Sequence, residues 1–440
     1  MLGKKKRITF ILGAGAVIDW DAPTTLELTK LVRNSGFQCV INTQTKIAES
    51  IYQAILDKGH SSKNVNFETI INAIEELLIY YSYFDNKSKT PSLAKIFFKS
   101  NFEKDYLNYS ISGDGIEKHN YRIDIPIGLK YDYLHSGVIN GESPPQIFLQ
   151  QLLAEILTNI NARVARYAYH SKGHSKIDSE SNNEINLMFN NWVQKLNPLN
   201  SILRVYTLNY DSLFKVLFLK FGVDEVFEGF EIDYEEENGQ FSRPNVVRIV
   251  EDINSHCYYN LHGSAFWAVS SRDDTKLVNP EILLKGYPEF QINQYEQVCI
   301  QVEKGKNVLF SNIITGYQKA QKGFITPFKQ MQASFDRDCL STDELYIIGY
   351  SFGDEHINMS IKTALKYNPN IKIILIDPLY LENENYNGYD KLQETFINVF
   401  SNYFNAPFTS ELRNNNCWHY FNSRLIVYTM TMKEFLETQI

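Results

Sequence analysis

Cysteine is scarce in this chain, with five among 440 residues, at Cys39, Cys257, Cys299, Cys339 and Cys417. No two form a C-x-x-C pair, so the spacing of a zinc ribbon is missing, and their odd, scattered placement excludes a disulfide framework. Reduced thiols and a cytoplasmic location are expected. No apolar run approaches the roughly 18 residues needed to cross a bilayer, and no membrane association is expected. Lys4-Lys5-Lys6-Arg7 before an apolar run imitates a signal peptide, but that run is too short and reads better as a first strand. A long basic tract is also absent: 43 Lys and Arg against 51 Asp and Glu leave a formal charge of −8. Direct nucleic-acid binding is therefore not expected. There is no internal repeat and no low-complexity tract. The 28 Tyr and 28 Phe that are present fit a well-packed globular protein.

The chain is organised around Arg7 to Asp21, RITFILGAGAVIDWD. Ile8, Phe10, Ile11 and Leu12 read as a buried parallel strand that breaks at Gly13-Ala14-Gly15-Ala16. Such a turn brings backbone N–H groups close to a phosphate, with the positive end of a following helix dipole behind them. The dinucleotide fingerprint asks for a third glycine, and that position holds Ile18. Alone, the segment equally fits an ordinary strand–turn–helix.

Thr24 with Glu27 forms a capping box, which predicts a helix to about Arg33 that Gly36 ends. A polar stretch follows. Phe67, Ile70, Ile71, Ile74, Leu77, Leu78 and Tyr81 then mark an amphipathic helix with Asn66 as its cap. Residues 84–144 read as loop with short pieces. A second long helix from near Pro145 carries Phe148, Leu149, Leu152, Leu153, Ile156, Leu157, Ile160 and Val164. The segment from His170 to Asn183 reads as a mobile surface loop. His170 and His174 have an i, i+4 spacing but no helix and no third ligand, so a solvated loop is preferred over metal. Strand-like runs resume at Ile202–Leu208, Cys257–Leu261, Leu345–Ile348, Ile371–Ile376 and Arg424–Met430. The stretch 270–325 is poorly decodable.

Five apolar runs end in small, polar or ionisable residues: Gly13-Ala14-Gly15, Asn209-Tyr210-Asp211, His262-Gly263-Ser264, Gly349-Tyr350-Ser351 and Asp377. In a parallel sheet these carboxyl ends share the edge where open α/β sheets bind ligands. There the glycine turn would hold a pyrophosphate and Asp377 an adenosine ribose. Gly349 and Ser351 would supply a close backbone approach and a hydroxyl, leaving Asn209 and His262 for chemistry. The bland readings stand beside these. A histidine at a strand end is often structural, Asn209 also fits a helix cap, and Asp211 fits one better. Asp19 and Asp21 either solvate a loop or lie near a nicotinamide ribose. Asp354, Glu355 and His356 read as helix-start residues.

The ordered set GAGA, TLNYD, LHGS, GYSFGDEHI and LID resembles the sirtuin-type (silent information regulator) NAD-binding domain, and is closest to bacterial sirtuin-like NAD hydrolases of anti-phage defence. The resemblance spans Ile8 to Asp377 and includes the helix at Asn66. It implies a Rossmann-like, doubly wound, mostly parallel α/β sheet with a large helical insertion. The core would comprise about 1–36, 200–270 and 335–440, the insertion about 37–199, and 270–334 would be loops and small helices, all in a single domain over 1–440. It implies NAD+ as substrate, with Gly13, Ala14, Gly15 and Ala16 on its phosphates. Asp21, Tyr210, Asp211, Gly349, Ser351 and Asp377 complete the binding set. Asn209 would position the nicotinamide ribose and a water, and His262 would be general base or ribose-hydroxyl partner.

The departures point to water as acceptor. Protein-deacylating sirtuins usually carry a serine where this chain has Val17. Their Pro-Asp-Phe-Arg segment is replaced here by Ile18-Asp19-Trp20-Asp21-Ala22-Pro23-Thr24, and the glutamine before the asparagine by Leu208. Of their four-cysteine zinc ribbon only Cys299 and Cys339 remain in that region, so no metal is expected. The resemblance thus implies an NAD+ hydrolase, a regulated effector that depletes cellular NAD in abortive infection. A deacylase, an ADP-ribosyltransferase and a non-catalytic NAD sensor or assembly module remain open alternatives. No appended sensing domain is recognised, so a homo-oligomer switched by a partner such as a HerA-like ATPase is expected. The two long helices offer more apolar face than one sheet obviously needs, which either suits association or is used up in packing wholly on their own core.

Overall fold

The computed structural model describes residues 5–62, 64–81, 102–115, 120–124, 134–136, 144–171, 173–232, 241–270, 281–285, 298–303, 306–316, 319–378, 396–404, 407–414 and 416–439. Most of the 84–144 stretch, and much of 270–325, lies outside them.

An eight-stranded sheet carries the fold. In chain order its strands are β1 (Lys6–Leu12), β2 (Ser201–Thr207), β3 (Cys257–Asn260), β4 (Glu344–Ile348), β5 (Lys372–Ile376), β6 (Ser410–Asn414), β7 (Cys417–Tyr420) and β8 (Leu425–Tyr428). In space they run β3-β2-β1-β4-β5-β8-β7-β6. The first six are paired in parallel, and β7 and β6 add an antiparallel edge. Consecutive parallel strands thus leave β1 first toward β2 and β3, then toward β4, β5 and β8. That is the strand order of the doubly wound dinucleotide-binding sheet, whose crevice opens where the order reverses, here between β1 and β4. The Rossmann-like, mostly parallel α/β fold follows directly from it.

Alternation along the strands builds two cores. Ile8, Phe10 and Leu12 of β1 enter one buried cluster with Leu203, Val205, Ile348, Ile374 and Ile376. Ile11 enters the other with Tyr206, Leu345, Ile347, Ile373 and Leu375. Both faces are covered, so the strands read as continuous apolar runs rather than alternating ones.

The helices on the first face are α1 (Thr25–Arg33), α2 (Ile47–Asp57), α3 (Phe67–Tyr81), α4 (Pro144–Ala168), α5 (Asn183–Leu196) and α6 (Leu213–Lys220), with α7 (Val246–Glu251) following. The capping box is formed as expected: Glu27 N–H donates to Thr24 Oγ1 at 3.2 Å, and the Thr24 N–H to Glu27 Oε2 at 2.7 Å. Asn66 caps α3 by accepting from the Thr69 N–H at 3.2 Å. Several helices differ from the sequence reading, α7 and the one over Phe328–Ser341 among them. The polar stretch after α1 contains α2, and the run after the His170 loop becomes α5, packed through Met188, Phe189, Trp192 and Val193. Late in the chain, Thr431 and Glu434 form a second capping box that starts α11, so four more helices close the fold: α8 (Lys319–Lys322), α9 (Phe328–Ser341), α10 (Glu355–Tyr367) and α11 (Met432–Glu437). His170–Ser171 pairs with His174–Ser175 as a short hairpin, so the two histidines face a turn rather than a helix.

The expectation of spare apolar face on α3 and α4 is corrected. Ile70, Ile71, Ile74, Leu77 and Leu78 of α3 are buried in one cluster with Leu149, Leu152, Leu153, Ile156 and Ile160 of α4 and with Val32 of α1. These helices use their apolar faces on each other, so that surface gives no argument for self-association.

Candidate active site

The crevice begins at the glycine turn. No α-helix starts there: Ala14–Ala16 and Ile18–Trp20 are single 3₁₀ turns, and α1 begins only at Thr25. The expected long helix dipole behind the turn is therefore missing. Trp20 explains the detour, because its buried indole donates to Asn186 Oδ1 on α5 at 2.9 Å and packs on Phe189 and Phe214. The glycines serve the switch point itself. The Gly13 N–H donates to the Ile348 carbonyl at 2.9 Å, the Gly15 N–H to the Gly349 carbonyl at 3.0 Å, and the Ala16 N–H to the Gly13 carbonyl at 3.0 Å. A Cβ on Gly15 would lie 2.7 Å from Gly349 Cα, and one on Gly13 would strike the Gly349 carbonyl oxygen. The ends of β1 and β4 thus touch backbone to backbone, with three of the turn's N–H groups spent inside the fold. Ala14 is the exposed residue of the turn.

Asn209 leaves the end of β2 beside this turn. Its Nδ2 donates to the Gly13 carbonyl at 2.9 Å, which fixes the amide and presents Oδ1 as its acceptor. Its backbone carbonyl accepts from Asn260 Nδ2 of β3 at 3.1 Å. His262 follows β3. The Gly263 turn at φ +80 lies tight against Asn312, and the His262 carbonyl accepts from the Ile314 N–H at 2.7 Å. The imidazole is buried and has its Nε2 without a hydrogen-bond partner among the described residues. A buried nitrogen left open is uncommon in a native core and needs a reason, such as an incoming ligand.

Asp354 stands 3.9 Å from that nitrogen, through Oδ1. Lys319 of α8 binds the same oxygen at 2.9 Å and Glu68 of α3 at 3.1 Å. Next to it Lys322 pairs with buried Glu75 at 2.7 Å. Burial pushes the His262 pKa well below the usual range, and Lys319 adds to the effect. His356, whose ring centroid is 5.9 Å from that of His262, is lowered by burial too. Asp354 is opposed by burial, yet His262 and Lys319 outweigh it and hold the carboxyl below its ordinary value. Lys319 is raised: Glu68 and Asp354 overcome its burial.

The other residues singled out in the sequence divide. Gly349 closes the switch point at φ +58, and Ser351 is exposed above it. Asp377 continues β5, its N–H donating to the Tyr428 carbonyl at 3.1 Å. Tyr210 is buried, and its carbonyl accepts from the Ala265 N–H at 2.9 Å and from Ser264 Oγ at 3.1 Å. Asp211 is fully buried with both carboxylate oxygens engaged, by Tyr167 Oη at 2.8 Å and the Leu213 N–H at 2.9 Å. It is a cap and an anchor for α4. Asp21 is not tied to the others; it sits at φ 67 with an exposed side chain, held by Arg163 to its carbonyl at 2.8 Å. Asp19 does not simply solvate a loop, since its carboxylate accepts the Lys433 N–H at the start of α11 at 2.7 Å.

The sequence reading missed Lys319, Glu68 and the side-chain role of Asp354. At the N-terminus of α10 Asp354 makes no capping bond and turns to Lys319 instead. The GYSFGDEHI stretch held that signal; nothing near Lys319 did.

Among the described residues no group of three or more His, Cys, Asp or Glu is placed to hold a metal ion. Burial raises the Cys257 thiol to about 12 and the Cys39 and Cys339 thiols upward as well. Chelation should therefore leave Tm unchanged, and elemental analysis should find no stoichiometric zinc; either a bound metal or a fall in Tm with EDTA contradicts this. Likewise no helix among the described residues is long and apolar enough to cross a membrane.

Comparison with known proteins adds one firm match. The family model of the SIR2-like domain matches residues 203–395, the stretch from β2 to beyond β5. No curated protein matches the chain. Among solved structures, a triple mutant of a Sir2 homologue in complex with 2'-O-acetyl ADP-ribose is similar at 8% identity and TM-score 0.33, covering 100% of this chain and 92% of that one. A second, described as a structural basis for the mechanism and regulation of Sir2 enzymes, is similar at 9% identity and TM-score 0.22, covering 49% of this chain and 70% of that one. Likenesses that slight carry no argument here. The family match and the strand order do: residues 203–395 match the SIR2-like domain, and they lie on a Rossmann-like, mostly parallel sheet.

Proposed function

We propose that the protein is an NAD+ glycohydrolase, converting NAD+ and water to nicotinamide, ADP-ribose and a proton. The observation that supports this best is the pairing of an oriented Asn209 amide with the open Nε2 of His262, on adjacent strand ends beside the β1–β4 crevice. The nicotinamide–ribose bond breaks with its electron pair leaving on nicotinamide, through a transition state of oxocarbenium character. Asn209 Oδ1 holds the ribose and a water in line with the anomeric carbon, so that much of the cost is met by positioning. The water adds there, a ribose hydroxyl relays its proton, and His262 Nε2 receives one proton and returns it to solvent. Positioned proton transfer of this kind is typically worth 10²–10⁴-fold. Ala14 and Ser351 border the phosphates, and Asp377 the adenosine ribose.

A free-running enzyme of this kind would exhaust its own cell. By the family resemblance we place it as a regulated effector of anti-phage defence, a homo-oligomer acting with a HerA-like ATPase. The test is nicotinamide release from NAD+, measured by chromatography on the purified chain alone and with that ATPase, alongside light scattering. Turnover that needs the partner is the expected result. No nicotinamide from the partner-bound assembly ends the hydrolase reading, O-acyl-ADP-ribose formed only with an acylated peptide replaces it with a deacylase, and label carried onto protein replaces it with a transferase. Full activity in an isolated monomer removes the partner.

A further inference from the structure

Among the described residues the charges around His262 do not cancel. Lys319 supplies one ammonium to two carboxylates, Glu68 at 3.1 Å and Asp354 at 2.9 Å. The adjoining Lys322–Glu75 pair is balanced. Two carboxylates less one ammonium leave one negative charge beside a neutral imidazole whose Nε2 is buried and open. Three elements meet there: α3 brings Glu68 and Glu75, α8 brings Lys319 and Lys322, and the start of α10 brings Asp354 and His356. Tyr210, whose hydroxyl is raised by burial and by Glu68, completes the surroundings. The three groups are only partly buried, their side chains 33%, 19% and 19% exposed for Glu68, Lys319 and Asp354, so solvent screens part of this charge and the remainder favours a cation beside it.

Resting on the NAD-cleavage reading, we propose that Asp354, clamped by Lys319 and through it by Glu68, is the positioning residue for His262: it stands 3.9 Å from the open Nε2 to stabilise the imidazolium formed when that nitrogen takes the substrate's proton. Protonation of the ring then brings the four-group cluster to neutrality. The N–H bond forms at Nε2, the O–H bond of the ribose hydroxyl breaks, and no other co-reactant is needed. Lys319 has the opposite task. It keeps Asp354 ionised and disfavours a charged ring before substrate arrives, so the resting histidine is a base rather than an acid. Tyr350 holds the geometry: its hydroxyl donates to Asn358 Oδ1 at 3.1 Å and accepts from the Asp354 N–H at 3.1 Å. Because Glu68 sits in the first turn of α3, the helical segment between β1 and β2 becomes part of the basicity control of the site.

The experiment compares wild type with Asp354→Asn and Lys319→Met, each checked for fold by circular dichroism, and with Asp354→Glu as the conservative variant. The direct readout is the titration of the His262 imidazole in ring-labelled protein by NMR, its signal assigned by loss in His262→Ala. Removing the carboxylate should move the titration further down, and removing the ammonium should move it up, each by about one pH unit or more for charges at this range. The acid limb of kcat/KM should follow in the same two directions. Asp354→Asn should lower kcat by about tenfold or more, a share of the 10²–10⁴ available to positioned proton transfer, with KM little changed, and Asp354→Glu should restore part of it. A purely structural role does not produce shifts of opposite sign. Unchanged titration in both folded variants, shifts in the same direction, or full kcat in Asp354→Asn overturns the proposal. Should one variant not fold, the other still decides, by an upward or downward shift against none. If the wild type releases no nicotinamide, the NAD reading fails, while the NMR titration independently supports or overturns the charge coupling.

Discussion

Asn209→Ala and His262→Ala should each cut nicotinamide release by about 10²–10⁴-fold, the range of positioned proton transfer and its geometry, while the fold survives. The second half of that expectation distinguishes a site from a core. The Gly13 carbonyl that Asn209 binds also accepts the Ala16 N–H at 3.0 Å, so removing the amide orphans nothing. The His262 Nε2 has no hydrogen-bond partner to lose among the described residues, and trimming the ring leaves a small void at the crevice, a cost of about 1–3 kcal/mol by the usual cavity terms. Because both residues act on one transition state, the double variant should lose little more than the worse single one. The checks are single-turnover nicotinamide release and thermal melts on the same samples. A folded variant of either residue with near wild-type rates removes that residue from the chemistry.

The parts of the fold that are legible in the sequence are those with local causes. β1, α1, α3, α4 and the five parallel strand ends declare themselves through period, caps and turn residues, whereas the strand order does not, because β1 ends at Leu12 and its neighbour β2 begins only at Ser201. α2 is hidden because it starts after Lys46, which makes no side-chain capping bond, behind a polar run. The signals for α5 and α11 are present, in the Ile185, Met188, Phe189, Trp192 spacing and in the Thr431–Glu434 box. The dipole argument at the glycine turn fails because Trp20 is anchored to Asn186 on α5, 166 residues away in sequence. No window on the sequence contains that contact.

The candidate site divides along the same line. Asn209 and His262 lie at strand ends, and strand ends are sequence features. The Glu68–Lys319–Asp354 clamp joins three segments that approach only in space, one of them inside the least decodable stretch. Asp354 illustrates the competition: a carboxylate before a helix normally caps it or faces its dipole, but here a half-buried ammonium 2.9 Å away offers a stronger partner.

Gly349→Ala should destabilise the protein by more than any glycine substitution on its surface, by about 3 kcal/mol or more. Two causes add. A non-glycine residue at φ +58 carries about 1–2 kcal/mol of left-handed strain. Its Cβ would then collide with the Gly15 backbone and the Ala16 nitrogen, and neither is a flexible side-chain end that can swing away. Overpacking that forces backbone to move costs a further 1–3 kcal/mol or so. Gly59 supplies the control, because it has φ +88 but nothing within 4 Å of an added Cβ; Gly59→Ala should carry the strain alone. The difference between the two in chemical denaturation isolates the contact between the ends of β1 and β4. Since Asn209 is oriented by the Gly13 carbonyl on the same turn, a displaced β1 end also misaims the amide, and Gly349→Ala should lose turnover even at temperatures where it stays folded. If Gly349→Ala costs no more than Gly59→Ala, the two strand ends are not packed backbone to backbone, and the switch point cannot be what sets the geometry of the crevice.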